Sequence, residues 1–174
     1  YYPQKGPYSS RDPDIIRTHL SEMKRAEGEV VVLSWWGRKE REGTTDTQGV
    51  STDDVVREIF AVSDEMRDIK IAFHLEPYPG RTVESIRSDI LYLLSTYRHH
   101  PSLYLSSSLS LPLIYIYDSY HISPANWSRL LTVEGDLTIR HTLYDCVVIG
   151  LWLDREDGER ALIGGFDGLY SYFA

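Results

Sequence analysis

A single cysteine, Cys146, has no intrachain disulfide partner. Set in Cys146-Val147-Val148-Ile149 it reads as a small buried hydrophobe, so cysteine usage leaves the redox compartment open. Cationic charge is scarce. The 18 Lys and Arg against 26 Asp and Glu leave a net charge of −8, which argues against nucleic acid and against anionic membranes as partners. No apolar run is long enough to span a bilayer, and no signal-peptide pattern occurs. Phosphate-cradling loops are missing too: there is neither G-x-G-x-x-G nor G-x-x-x-x-G-K-[ST]. His99-His100 is a poor metal site, because adjacent residues do not share a face and no Cys or third His is suitably spaced. Internal repeats and low-complexity tracts are absent. With 42% hydrophobic and 25% charged residues over 174 positions, the chain amounts to one ordinary domain able to bury a core. The compositional excess is in rings, 13 Tyr and 4 Trp, which suit both sugar-binding clefts and plain packing.

The pattern alternates strand and helix. Asp12 and Pro13 start a helix whose stripe of Ile15, Ile16, His19, Leu20 and Met23 runs to Gly28. Val30-Val31-Val32-Leu33 is a short buried strand that exits through Ser34-Trp35-Trp36-Gly37. Residues 38–50 make a polar, Gly-rich excursion on the same side, where long loops tend to carry function. Ser51 and Thr52 open a second helix, with Val55, Val56, Ile59, Phe60, Ser63 and Met66 facing inward. A third helix starts at Thr82 and stops at Pro101. Pro112–Tyr117 and Cys146–Trp152 are further strands, with a helix from Ser123-Pro124 between them. A charged helix ending in Ala161-Leu162-Ile163 then turns at Gly164-Gly165 into a fifth strand.

The strand Ile71-Ala72-Phe73-His74-Leu75-Glu76-Pro77-Tyr78 organises the rest. It starts apolar and ends in titratable groups, and alternation puts His74, Glu76 and Tyr78 on one face against Phe73 and Leu75 on the other. Repeated β-then-α units imply a parallel sheet with right-handed crossovers. Pattern alone allows either an open doubly wound sheet or five of the eight units of a (β/α)8 barrel. Two features favour the barrel. No strand leads into a phosphate loop, and polar or aromatic residues close several strands: Trp35-Trp36, His74-Glu76-Tyr78, Asp118-Tyr120 and Tyr170-Tyr172.

Five segments carry a resemblance. They are Gly6-Pro7-Tyr8-Ser9-Ser10-Arg11-Asp12-Pro13, Leu33-Ser34-Trp35-Trp36-Gly37, Phe73-His74-Leu75-Glu76-Pro77-Tyr78, Ile116-Tyr117-Asp118-Ser119-Tyr120, and Gly165-Phe166-Asp167-Gly168-Leu169-Tyr170-Ser171-Tyr172-Phe173-Ala174. In order, and across the chain, these resemble the endo-α-1,2-mannosidases of glycoside hydrolase family 99. The resemblance implies an α/β fold of the (β/α)8 TIM-barrel type with about five β/α units present. Residues 1–174 would then be a partial glycoside hydrolase barrel domain without its first strand and last units. It also implies hydrolysis of internal α-1,2-mannosidic bonds in N-glycans with retention of configuration, through a 1,2-anhydro sugar formed by the substrate's own 2-hydroxyl. The partner would be a mannose-containing oligosaccharide or N-glycan, with no metal or organic cofactor. Animal members act in the Golgi lumen as type II membrane proteins, so membrane attachment would come only through an N-terminal anchor that is missing here.

By the same resemblance Glu76 contacts the mannose in the cleaved subsite, and Trp36, or second to it Trp35, flanks the adjacent sugar. Tyr170 and Tyr172 match cleft tyrosines. His74 and Asp118 either touch substrate or orient neighbours through a His–carboxylate bond. Each has a plainer alternative: a carboxylate paired with Arg or solvated, an indole in the core, tyrosines filling barrel layers. The family's acid/base motif Glu-Trp-His-Glu does not occur, so the catalytic pair is expected beyond Ala174 and none within the chain. Both chain ends read as cut. The chain alone is therefore expected to be inactive, and its open sheet edges to leave the isolated fold marginal. The competing readings are a non-catalytic mannoside-binding relative, a truncated product without activity, and a small doubly wound binding domain.

Overall fold

The structure, a computed structural model, describes residues 5–45 and 51–172. Residues 46–50 of the expected excursion, and residues 1–4 and 173–174, lie outside the described residues. Helix α1 (Pro13–Arg25) leads into strand β1 (Val30–Trp35), then α2 (Thr52–Met66), β2 (Lys70–Leu75) and α3 (Val83–Tyr97). Strand β3 (Leu113–Ile116) passes through a 3-10 turn, Ser119–His121, to α4 (Pro124–Leu131). Strand β4 (Val147–Leu151), α5 (Glu156–Gly164) and β5 (Gly168–Tyr170) complete the order.

The starts follow local chemistry. Asp12 accepts the N–H of Asp14 ahead of Pro13, and Ser123 accepts that of Asn126 ahead of Pro124, each satisfying an orphan donor. Thr82 and Ser85 cap each other reciprocally at α3. At the far end of α5, Gly165 takes φ +83°, and a β-carbon there would lie 2.6 Å from the Leu131 carbonyl oxygen. Only glycine turns that corner into β5.

All five strands are parallel and pair in chain order, β1-β2-β3-β4-β5. A doubly wound sheet reverses its order at a switch point; this one does not, and it is an arc of a (β/α)8-type barrel. The rung Leu33–Phe73–Ile114–Val148 faces the helices. Phe60 of α2 covers it, stacking on Tyr97 and Phe73 at ring separations of 4.3 and 5.9 Å. The next rung, Ser34–His74–Tyr115–Ile149–Gly168, faces the inside of the arc.

One guanidinium ties the N-terminal ends of β4 and β5 to α4. Arg140 donates to the carbonyls of Leu131, Cys146 and Gly165 and pairs with Asp145 and Asp167 at 3.2 and 2.9 Å, with 11% of its side chain exposed. Removing one partner of so enclosed a network strands the others. Arg140→Ala is expected to cost about 3–5 kcal/mol in urea denaturation.

Candidate functional site

The inner rung and the strand exits above it form a concavity of about 440 Å³ lined by Val32, Ser34, His74, Tyr115, Tyr170 and Tyr172. His74 is its centre, with the rings of Tyr115, Tyr117, Tyr170 and Tyr172 all within 6.4 Å of the imidazole. Its Nδ1 lies 2.7 Å from Oε1 of Glu76, and its Nε2 lies 2.6 Å from the Tyr170 hydroxyl. A carboxylate only accepts, so Nδ1–H donates to Glu76. Burial, and then the negative charge of Glu76, push the Tyr170 hydroxyl above the ordinary tyrosine range. It therefore keeps its proton and donates it to Nε2.

The His74–Tyr170 bond also reports curvature. Strands β2 and β5 are separated by β3 and β4, three spacings or about 14 Å on a flat sheet, where side chains stand parallel. The two rings meet because the sheet bends around the concavity. Glu76 is 8% exposed, and its backbone N–H extends the β1–β2 ladder to the Trp35 carbonyl at 2.9 Å. Among the described residues the hydrogen bonds of its side chain engage Oε1 alone.

Asp118 stands at the exit of β3 in a left-handed conformation, φ +51°. Tyr120 donates to its Oδ1 at 2.9 Å, and Arg81 Nη2 donates to its carbonyl at 2.9 Å. The segment is held from below, where the Trp127 indole donates to the Ser119 carbonyl and the Leu151 N–H donates to Ser119 Oγ. Arg81 links the β2 and β3 exits. Burial pulls its guanidinium below the usual arginine value, and its Nη1 is buried with no partner among the described residues.

The expected site residues thus divide. His74, Glu76, Tyr170 and Tyr172 come together, and Asp118 occupies the neighbouring exit. The His–carboxylate bond is made by His74 with Glu76, whereas Asp118 bonds Tyr120. The two indoles part company. Trp35 is 1% exposed, faces the helices, donates to Asp53 Oδ1 at 2.9 Å and stacks on Tyr92. Trp36 is 41% exposed at the strand exit. Tyr78 does not share the face of His74 and Glu76, because Pro77 ends the strand's alternation and Tyr78 turns under α3 to donate to Asp89 at 2.5 Å. Sequence reasoning passed over Tyr115 and Tyr117, although their two-residue spacing marks one face of β3. It also passed over Arg81, which carries no local signal.

The glycosyl hydrolase family 99 model matches residues 1–174. Among curated relatives, the glycoprotein endo-alpha-1,2-mannosidase-like protein of Mus musculus is 44% identical and that of Danio rerio 42%; each aligns with the whole chain. The glycoprotein endo-alpha-1,2-mannosidase of Xenopus laevis is 37% identical. The chain spans 38% of the mouse and frog proteins and 39% of the fish protein. Among solved structures, the GH99 endo-alpha-mannosidase from Bacteroides thetaiotaomicron superposes with a TM-score of 0.86 at 35% identity. It is matched over all of this chain and 50% of its own.

The raised Tyr170 predicts an alkaline effect. The unfolded chain releases that proton near the ordinary tyrosine value of about 10, while the folded chain still holds it. Its contribution is complete below that value and declines as pH rises beyond it. Denaturation midpoints measured from neutral to alkaline pH are expected to fall less steeply in Tyr170→Phe than in the unaltered chain.

Proposed function

The chain belongs to glycosyl hydrolase family 99, and from that membership and its inner face we propose that it forms the mannoside-binding half of an endo-acting α-1,2-mannosidase cleft. The observation that carries this reading is Glu76. One oxygen is fixed by His74, itself held by Tyr170, and His74 and Tyr170 line the tyrosine-rich hollow beside it. A carboxylate so held accepts hydrogen bonds from vicinal sugar hydroxyls, and charge-assisted bonds are the strong ones. The rings of Tyr117 and Tyr172 beside it, 5.1 Å apart, offer edges and faces to a pyranose. Exposed Trp36 suits the flank of the adjacent sugar. Asp118, within the same rim, is assigned to polar contact with the glycan, and Trp35 to support beneath it.

The reaction in this proposal is hydrolysis of internal α-1,2-mannosidic bonds of N-glycans with retention, in the Golgi lumen. No described helix is long and apolar enough to cross a membrane. The five β/α units act within a larger barrel whose remaining part supplies the acid/base pair. His74 and Tyr170 orient Glu76; Glu76 binds and positions the sugar.

The test is release of a labelled disaccharide from a glucosylated α-1,2-mannoside, by this chain and by a version extended at both ends. The extended form is expected to turn over, with product NMR showing the retained anomer, while the 174-residue chain binds without turnover. Turnover by the short chain would place the acid/base groups inside it. Glu76→Gln is expected to weaken α-1,2-mannobiose binding about 10- to 100-fold by calorimetry, the loss of hydrogen bonds to a charged group.

A further inference from the structure

Asp89 is a carboxylate on α3 with 1% exposure, and it does not face the hollow. Arg41, from the loop after β1, grips it with two bonds of 2.8 Å. Tyr78, from the loop after β2, donates to the same carboxylate at 2.5 Å, and the Arg41 guanidinium lies 4.3 Å over the Tyr78 ring. A second cation stands close by. Arg38 Nε is 3.9 Å from Asp89 Oδ1, and its Nη2 reaches Ser88 Oγ at 2.9 Å. That Nε is buried with no hydrogen-bond partner among the described residues.

These contacts bridge two strand exits. Trp36 lies two residues before Arg38, and the loop is folded tightly behind it: Gly37 has φ +119°, and a β-carbon there would sit 2.6 Å from Thr44 Cγ2. Thr44 Oγ1 in turn donates to the carbonyls of Arg38 and Arg41. Glu76 lies two residues before Tyr78. One buried carboxylate therefore fixes the stems of both Trp36 and Glu76.

We propose that Asp89 and Arg41 are positioning residues that set Trp36 relative to Glu76, and so the spacing of two adjacent sugar subsites. The relevance to sugar rests on the mannoside reading above; the geometric claim does not. The charge balance makes the device all-or-none. Two guanidinium groups converge on one buried carboxylate, and without its charge they repel one another across a half-buried contact. The loop that carries Trp36 then loses its fork to α3 and, among the described residues, is held there only through Arg38, by Ser88 and the Tyr92 ring. An Arg–carboxylate fork also fixes orientation as a point charge would not.

The test labels the four tryptophans with 5-fluorotryptophan and follows Trp36 by fluorine NMR in Asp89→Asn and Arg41→Gln. Arg41 is a loop residue, so its variant keeps the helices and decides the matter if Asp89→Asn fails to fold. The Trp36 resonance is expected to shift or broaden in the variants while those of Trp127 and Trp152 stay in place. α-1,2-Mannobiose affinity should fall by about tenfold, within the range for residues acting through a packed network. Arg140→Ala, destabilised from the opposite end of the strands, serves as control and should leave Trp36 unmoved. An unchanged Trp36 resonance in a folded Arg41→Gln, or an equal shift in the Arg140 control, would overturn the proposal. A Trp36 shift in a chain that binds no mannobiose would uphold the positioning role and sink the mannoside reading instead.

Discussion

Parallel pairing in strict register is the constraint on which everything else rests. Side chains alternate with a period of two, so the ladder that aligns Leu33, Phe73, Ile114 and Val148 against the helices necessarily aligns Ser34, His74, Tyr115 and Ile149 on the opposite face. A slip of one residue would drive His74 into the helix layer and expose Phe73. Each large apolar side chain fully buried is worth roughly 1.5–3 kcal/mol, and Phe73, Ile114, Ile116 and Val148 are all at 0% exposure. The residues that fix the register are therefore not those that meet a ligand. Placement of the polar groups is a by-product of the core.

On the inner face a few polar bonds refine what the register provides. A histidine between a carboxylate and a phenol has both ring nitrogens engaged, so its tautomer and plane are set, and one oxygen of Glu76 is held in place beside the hollow. The rim is treated differently. Asp118 accepts a left-handed backbone, and Arg81 has one buried nitrogen without a partner among the described residues, both departures from local preference. These polar groups gather at the C-terminal ends of the strands, the face on which barrels of this type carry their active sites.

Much of this was legible in the sequence, because alternation and capping are local. Asp12, Thr82 and Ser123 marked helix starts, and the run into His74 and Glu76 identified the central strand. Parity also separates Trp35 from Trp36, but only once the strand's inner face is known, which no single strand reveals. Two-residue spacing misplaces Tyr78 because the strand ends before Pro77. Tyr115 and Tyr117 do not stand out in sequence, since a run of Leu, Ile and Tyr looks buried on both faces. Arg81 and Arg41 act through partners 37 and 48 residues away, and no local pattern encodes a pairing of that kind.

The bond between His74 and Tyr170 joins residues 96 positions apart, the longest sequence separation among the side-chain hydrogen bonds described above. Strand-to-strand contacts between neighbouring units close much shorter loops and can form as the chain emerges, unit by unit. The chord across the arc cannot. It exists only after three successive crossovers have stacked with the right curvature, so the orientation of Glu76 is acquired at the end of folding. A partly folded chain would present the hydrophobic ladder without the His74–Tyr170 chord, and that contact would thus be a stricter measure of completed folding than helix content.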